Sequence, residues 1–571
     1  MSTSLERAQL WLSDAYDAET RNAVQDLIDN NPTELDDSFY RDLEFGTGGM
    51  RGIMGVGTNR LNKYTLGAAT QGLSNYLNAQ FPDKEKSVAI AYDVRHNSDK
   101  FAKMVADVLT ANGIKVYLFE SFRPTPELSF TVRHLGCDAG IVLTASHNPP
   151  IYNGYKVYWN DGAQIVPPHD KAIISEVGNV KVEEIRFEGN DKLITYIGQE
   201  IDQAFIDAAV ENGSFTTEGK EDVKIVFTSI HGTSVVITPK AFEQAGFTQV
   251  HQVAEQAIPS GDFPTVKSPN PEEPEALTMA VDLANEINAD IVIGTDPDAD
   301  RVGVAARDND GNMVLLNGNQ MNTVLAYYLL EKWEEAGKIT GKEFIGSTIV
   351  TSDIFYDIAA KFGVDCKVGL TGFKWIADMI RNFEGQEKFI GGGEESFGFM
   401  VGDFIRDKDS VTTALLVSEI AAVEKAKGSS LYNKLVDIYI ALGKAFQEDL
   451  ISIVKPGKEG AELIANMMVD FRANPPKELA GSPVVRVKDF QSSIEKDLVS
   501  GEEKAIDVPK SNVLIFYTAD GSKVACRPSG TEPKIKYYFS VNAPLVAKED
   551  YKEVQKVLLA KIDQLKVDFS Q

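Results

Sequence analysis

Cysteine is scarce. Cys137, Cys366 and Cys526 stand far apart in a chain of 571 residues, with no CxxC pair among them. That excludes a disulfide framework and a thiolate zinc site, and leaves the three as small buried hydrophobes. Long apolar runs are missing too. None approaches the ~18 residues that span a bilayer, so no membrane association is expected. The stretch from Met1 to Asp14 carries Glu6 and Arg7 where a secretory signal would have an apolar core, which points to a cytoplasmic protein. Positive charge is in deficit, with 57 Lys and Arg against 84 Asp and Glu and a net charge of −27. Such a field repels nucleic acid and anionic membranes. It admits an anionic small substrate only where the site is locally basic. Nucleotide fingerprints are absent as well. Gly46-x-Gly48 is completed by Arg51 in place of glycine and no GK[ST] follows, which argues against kinases and NAD-dependent enzymes.

What is present is a repeated alternation of apolar strands and helices. At about 150 residues per domain, the length suggests about four domains. Residues 1–40 read as an acidic helical extension with Leu5, Ala8, Trp11, Leu12 and Ala15 as its apolar stripe. Strands are predicted over 88–92, 114–119 and 140–143, with helices over 100–111 and 127–135 between them. This βαβαβ order implies a mostly parallel sheet. The order recurs with strands at 223–228 and 290–294, and again at 344–350, 365–368 and 388–390. From about residue 451 the pattern changes to short strands, such as 513–517 and 535–540, and a terminal helix from Lys548. That reads as a smaller α+β domain. The expected boundaries are 1–205, 206–320, 321–450 and 451–571.

Each α/β unit ends a strand in a polar loop, and in open α/β sheets ligands bind at that edge. The first loop is Thr144-Ala145-Ser146-His147-Asn148-Pro149, with Ser146 as the candidate reactive residue. A serine hydroxyl needs activation. His147 is a poor base for it, because neighbouring side chains are expected to point apart, and positions 144–148 lack the GxSxG elbow of hydrolases. A metal-assisted phosphoryl carrier fits better, with a turn serine as the plain alternative. The second loop places Asp296, Asp298 and Asp300 within five residues, oxygen ligands of the kind a magnesium-class cation takes. An EF-hand is excluded, since its glycine and glutamate positions hold Arg301 and Arg307. A solvated acidic turn is disfavoured by the repulsion among three close carboxylates. Glu394-Glu395-Ser396 ends the third unit's strand with groups suited to sugar hydroxyls, although a surface turn explains it nearly as well. A fourth loop, Arg527 to Lys534, combines a guanidinium fork, the Ser529 and Thr531 hydroxyls and the open backbone of Gly530. It reads as a phosphate cradle or an ordinary Pro-Gly turn.

In this order and spacing the loops resemble the α-D-phosphohexomutase superfamily of phosphoglucomutases and phosphomannomutases. Residues 45–52 and Thr371-Gly372-Phe373-Lys374 add to the likeness. The similarity is to the branch with an N-terminal extension, which includes bacterial α-phosphoglucomutases and phosphopentomutase-like enzymes. It implies three similar α/β domains with mixed, mostly parallel sheets plus a C-terminal α+β domain, around a central cleft. It also implies a reversible conversion of glucose 1-phosphate to glucose 6-phosphate through phosphoserine and a bound sugar 1,6-bisphosphate. One Mg²⁺ per chain would be held by Ser146, Asp296, Asp298 and Asp300. Arg301 and Arg51 would serve the reacting centre, and Lys156 matches the family's candidate general base. Glu394 and Ser396 would grip the sugar, with Thr371, Gly372 and Lys374 beside it. Arg527, Ser529, Gly530 and Thr531 would hold the non-reacting phosphate. The expected partners are sugar phosphates alone, for a monomer or homodimer. Mannose or pentose phosphates are the alternative substrates on the same scaffold, and a metal-dependent sugar phosphatase is a further alternative. One departure stands out: Phe404 occupies the place where many relatives carry a candidate acid–base histidine.

Overall fold

The computed structural model describes residues 3–569 apart from 47, 216–217, 456 and 530–533. Its apolar runs pair as inner strands. In Ala139–Leu143 every residue is buried, as a strand covered on both faces requires. Burying each of Ile141, Val142 and Leu143 contributes about 1.5–3 kcal/mol before entropy is counted.

The first sheet has six strands, and its centre is parallel. Ser87–Tyr92 lies between Lys115–Phe119 and Ala139–Leu143, and Ile194–Ile197 extends it in parallel. Helices Ser98–Ala111 and Thr125–His134 make the crossovers, so the βαβαβ reading holds. Two further strands run antiparallel on the other side, Tyr152–Trp159 and then Gly49–Ile53. The second sheet repeats the plan. Ile225–Thr228 and Ile291–Thr295 are parallel, and Val302–Arg307 returns antiparallel beside the latter. In the third, Glu343–Thr348 pairs in parallel with Asp365–Gly369 and Lys388–Glu394, and Gly398–Val401 returns antiparallel. The fourth sheet is antiparallel throughout and carries helices Gly457–Ala473 and Tyr551–Phe569. These are the three mixed α/β units and the different C-terminal unit that the sequence led us to expect.

A common site follows from this plan. In each α/β unit the chemically loaded loop joins the end of a parallel strand to an antiparallel return strand. Gly154 shows how tightly the first return strand runs: a Cβ there would lie 2.4 Å from Thr144 O and 2.8 Å from Met50 O.

The N-terminal extension differs from its expected form. The first helix is only Ser4–Leu10, and Ala18–Asn30 and Pro32–Phe39 follow as separate helices. Asp17 and Asn31 cap those starts through their side chains, and the end of the first helix at Leu10 leaves Trp11, Leu12 and Ala15 of the expected stripe outside it. Trp11, beyond the first helix, packs in an aromatic cluster with Tyr16, Phe39 and Tyr64. Cys137 and Cys526 are buried and Cys366 is partly so, all three free. Among the described residues no helix is long and apolar enough to cross a membrane.

Candidate active site

Ser146 is buried and sits in the left-handed region at φ 52°. A non-glycine residue holds that conformation only when its surroundings impose it. Here its N–H donates to Thr144 Oγ1 at 2.8 Å, and Thr144 Oγ1 donates in turn to Asp93 Oδ2 at 2.6 Å. The turn aims Ser146 Oγ at the second unit, where it donates to Asp296 Oδ2 at 2.7 Å. It also brings His147 Nδ1 to 3.2 Å from the same hydroxyl. The expectation that these neighbouring side chains point apart is therefore wrong. Alternation belongs to extended backbone, and the left-handed residue removes it. Burial, with the Arg301 and Arg51 charges, holds His147 well below the usual imidazole range, so the ring is neutral.

Asp296, Asp298 and Asp300 are all buried, and one oxygen from each lies within 4.8 Å of the others. Asp296 Oδ1 caps its own loop by accepting from the N–H groups of Asp300 and Arg301 at 3.1 and 3.0 Å. Two ammonium groups neutralise the triplet. Lys156 Nζ lies 2.7 Å from Asp298 Oδ2 and 3.3 Å from Asp300 Oδ2, and Lys408 Nζ lies 3.1 Å from Asp300 Oδ2. Burial works against both charges, but the carboxylates outweigh it and keep both lysines protonated. Asp296, with no ammonium of its own, is pushed well above the usual carboxylate range by burial and by its two acidic neighbours. Asp298 Oδ1 and Asp300 Oδ1 accept no hydrogen bond among the described residues. Clustered carboxylate oxygens, two of them buried and unsatisfied, beside a serine hydroxyl form an all-oxygen donor set that fits magnesium.

The other expected site residues fall around this centre. Arg51 Nη1 donates to Asn148 Oδ1 in the serine loop at 2.9 Å, and the two line a cleft of about 560 Å³ with Lys156. Arg301 is ion-paired with Glu272, and its Nε lies 3.7 Å from Asp300 Oδ1. Glu394 is buried, and its carboxyl is pushed up to about 7 by burial reinforced by Glu395. Ser396 Oγ lies 3.4 Å from Glu395 Oε1, while Glu395 Oε2 accepts from Thr351 at 3.1 Å. A second cleft of about 280 Å³ is lined by Glu272, Glu395, Ser396 and Tyr538 of the fourth unit. Arg527 Nη1 reaches Tyr538 Oη at 3.5 Å, and Ser529 N–H donates to Lys534 O at 2.8 Å. Gly530 and Thr531 lie outside the described residues. Thr371 and Gly372 precede helix Lys374–Phe383, and Phe373 faces Lys408 Nζ at 5.6 Å.

Comparison with known proteins follows the same division into units. Models of the phosphoglucomutase/phosphomannomutase alpha/beta/alpha domains I, II and III match residues 42–183, 203–311 and 317–439. The chain belongs to the phosphoglucomutase/phosphomannomutase family. A phosphoglucomutase of Staphylococcus epidermidis is 39% identical over 526 residues, covering 91% of this chain and 94% of the relative. One of Staphylococcus aureus is 38% identical over 540 residues, covering 94% and 96%. Among solved structures, a phosphoglucomutase/phosphomannomutase family protein of Burkholderia thailandensis has a TM-score of 0.64 at 18% identity, covering 91% of this chain and 97% of that one. Parafusin of Paramecium has a TM-score of 0.63 at 18% identity, covering 92% and 95%. At that identity the two structures show the shared fold.

In this phosphoglucomutase/phosphomannomutase family member Phe404 is a packing residue. Phe404 packs with Phe130 and Phe205, ring centroids 6.4 and 6.3 Å away, in an aromatic cluster. Lys408, four residues on, is the group that enters the aspartate cluster. A locally basic site was expected and Lys408 supplies part of that charge, whereas Asp93, Arg95 and Thr125 were passed over. Asp93 and Arg95 lie in the loop after strand Ser87–Tyr92, and Thr125 opens the helix that follows the loop after Lys115–Phe119, so the rule that led to Ser146 points to the same edge of the sheet.

Proposed function

We propose that this protein is a phosphoglucomutase that interconverts glucose 1-phosphate and glucose 6-phosphate through phosphorylated Ser146 and a sugar 1,6-bisphosphate. The observation that carries the reading is the 2.7 Å contact between Ser146 Oγ and Asp296, at the edge of a buried triplet suited to a cation. The identity to staphylococcal phosphoglucomutases over most of the chain supports the choice of glucose.

Bound by Ser146, Asp296, Asp298 and Asp300, magnesium would offset charge on the transferring phosphoryl group. In the forward step the bond from Ser146 Oγ to phosphorus breaks as a bond from the sugar hydroxyl oxygen to phosphorus forms. The sugar hydroxyl releases its proton as Ser146 Oγ takes one up, and Lys156 is the candidate acid–base group for that exchange. In the charged form its two carboxylate partners maintain, Lys156 is suited to the proton-donating half of the cycle. Arg51 and Arg301 brace the phosphoryl oxygens. Glu394 and Ser396, flanked by Thr371, Gly372 and Lys374, orient the sugar. Arg527, Ser529, Gly530 and Thr531 hold the distal phosphate. The four units are assigned to 1–205, 206–320, 321–450 and 451–571, in a cytoplasmic monomer or homodimer.

The test is turnover of purified protein with magnesium and a trace of glucose 1,6-bisphosphate. Formation of glucose 6-phosphate from glucose 1-phosphate is expected, with kcat/KM above that for mannose and ribose 1-phosphates. Release of inorganic phosphate without isomerisation would make the protein a phosphatase and overturn the reading.

A further inference from the structure

Arg95 stands behind the serine loop, and its guanidinium is spent almost wholly on that loop's main chain. Nη2 donates to Ser146 O at 2.6 Å and to Asn148 O. Nη1 donates to Pro149 O at 2.8 Å and to Tyr152 O at 3.0 Å. Four carbonyls within seven residues thus converge on one rigid planar fork, the geometry that arginine offers and lysine does not. Asp93 supplies the counter-charge, with its Oδ2 3.2 Å from Arg95 Nε. It also ties down the surrounding turn by accepting from Thr144 Oγ1 and Ser98 Oγ at 2.6 and 2.9 Å.

The other side of the guanidinium faces the unit that carries the aspartates. Its centre lies 5.1 Å from the ring centroid of Phe263, which is buried. The turn leading to Phe263 is pressed against the same segment: a Cβ at Gly261 would lie 2.8 Å from His96 N and 3.0 Å from Arg95 Cα. His96 Nε2 and Asp262 Oδ1, 2.7 Å apart, close the junction at the surface.

We propose that Arg95 is a positioning residue for phosphoryl transfer. Its fork holds the serine loop in the left-handed turn that aims Ser146 Oγ at Asp296, and its seat on Phe263 keeps that loop in register with the aspartate loop. The proposal rests on the reading of Ser146 as the phosphoryl carrier. Arg95 touches no reacting atom. Its effect is on where Ser146 Oγ stands, and an error of about 1 Å in such a placement costs roughly 100-fold in rate.

Arg95→Lys keeps the charge and removes the fork. The readout is a single turnover in which purified enzyme takes a phosphoryl group from glucose 1,6-bisphosphate, followed by intact mass. The rate is expected to fall about 100-fold and kcat with it, while KM for glucose 1-phosphate stays within about 3-fold. A merely structural arginine would lower the folded fraction and leave the rate per folded molecule at the wild-type value, which would overturn the proposal. If Arg95→Lys does not fold, Phe263→Leu decides. It leaves the four carbonyl bonds in reach and removes the seat, and transfer about 10-fold slower is expected; an unchanged rate overturns the proposal. Wild-type protein run alongside separates the two readings. If it gains no phosphoryl group on Ser146, the carrier reading fails and takes this one with it. If it does and Arg95→Lys matches it, only the positioning role fails.

Discussion

The serine loop and the aspartate loop occupy the same place in two successive units, yet they are held by opposite chemistry. Each joins a buried parallel strand to an antiparallel return strand, and each turns on a left-handed non-glycine residue, Ser146 at φ 52° and Ala299 at φ 57°. The carbonyls of the serine loop converge on a guanidinium. Those of the aspartate loop are taken by uncharged donors from three elements. Thr233 donates to Pro297 O from both N–H and Oγ1, at 2.8 and 2.9 Å. Thr125 N–H donates to Asp298 O at 2.9 Å. Ser410 donates to Ala299 O from N–H and Oγ, at 3.2 and 2.6 Å. The difference follows from what each loop would carry. A fixed positive charge behind the serine loop would favour a phosphoryl dianion there, while beside the aspartates the positive charge comes from Lys156 and Lys408 at the carboxylates and not from the backbone supports.

Breaking the serine side should have the largest effect. Ser146→Ala should lower mutase turnover by at least about 10⁴-fold, because the variant lacks the hydroxyl that would carry the phosphoryl group. Wild-type turnover by that variant, measured with bisphosphate present, would refute the carrier assignment. Breaking the aspartate side comes next. Asp298→Asn should cost about 10³-fold and raise the magnesium concentration needed for half-maximal activity, read from a titration of activity against free magnesium. Thr125→Val sharpens the comparison at smaller scale. It removes the 3.0 Å bond from Thr125 Oγ1 to Asp298 Oδ2 and leaves the backbone support intact. A loss of about 10-fold in kcat is expected; if the variant matches wild type in a magnesium titration, hydroxyl support of that carboxylate is dispensable.

Outside both loops, Glu448 shows the same burial physics without a catalytic partner. Its carboxyl is buried where the third unit meets the fourth, one oxygen accepts from Ser540 Oγ at 3.4 Å and the other accepts no hydrogen bond among the described residues. Burial pushes it up to about 7 from 4.5. Folded protein therefore keeps this proton where unfolded protein has lost it. The resulting stability is fully present below about pH 4.5 and is lost as pH rises through about 7. Glu448→Gln should match wild type near pH 4.5 and exceed it by as much as about 3 kcal/mol at pH 8. Melting curves for the two proteins across that range check the sign. A gap that narrows with rising pH would contradict it.

Much of this was legible in the residues. Continuous apolar runs such as 139–143 can be buried only as inner strands, and their alternation with helices makes the sheets parallel at the centre. The aspartates stand close enough in sequence to form one cluster on any backbone. The return strands were not legible as strands, because Gly49–Ile53 and Tyr152–Trp159 lack an alternating pattern and take their form from pairing with each other and with Ala139–Leu143. The contact between His147 and Ser146 was misread for a related reason: it depends on one left-handed residue, which neither neighbour's identity announces.

The sequence by itself determined the inner parallel strands, the chemistry carried at their ends and the family to which the chain belongs. Tertiary structure alone decided that Ser146 meets Asp296 across 150 residues of chain, that Lys156 and Lys408 both close on Asp300, and that Phe404 turns into an aromatic cluster. The physical reason is that each unit is specified by short-range apolar pattern, whereas the site is an electrostatic object. Its charges reach one another only after three sheets have packed and excluded water from the gap between them.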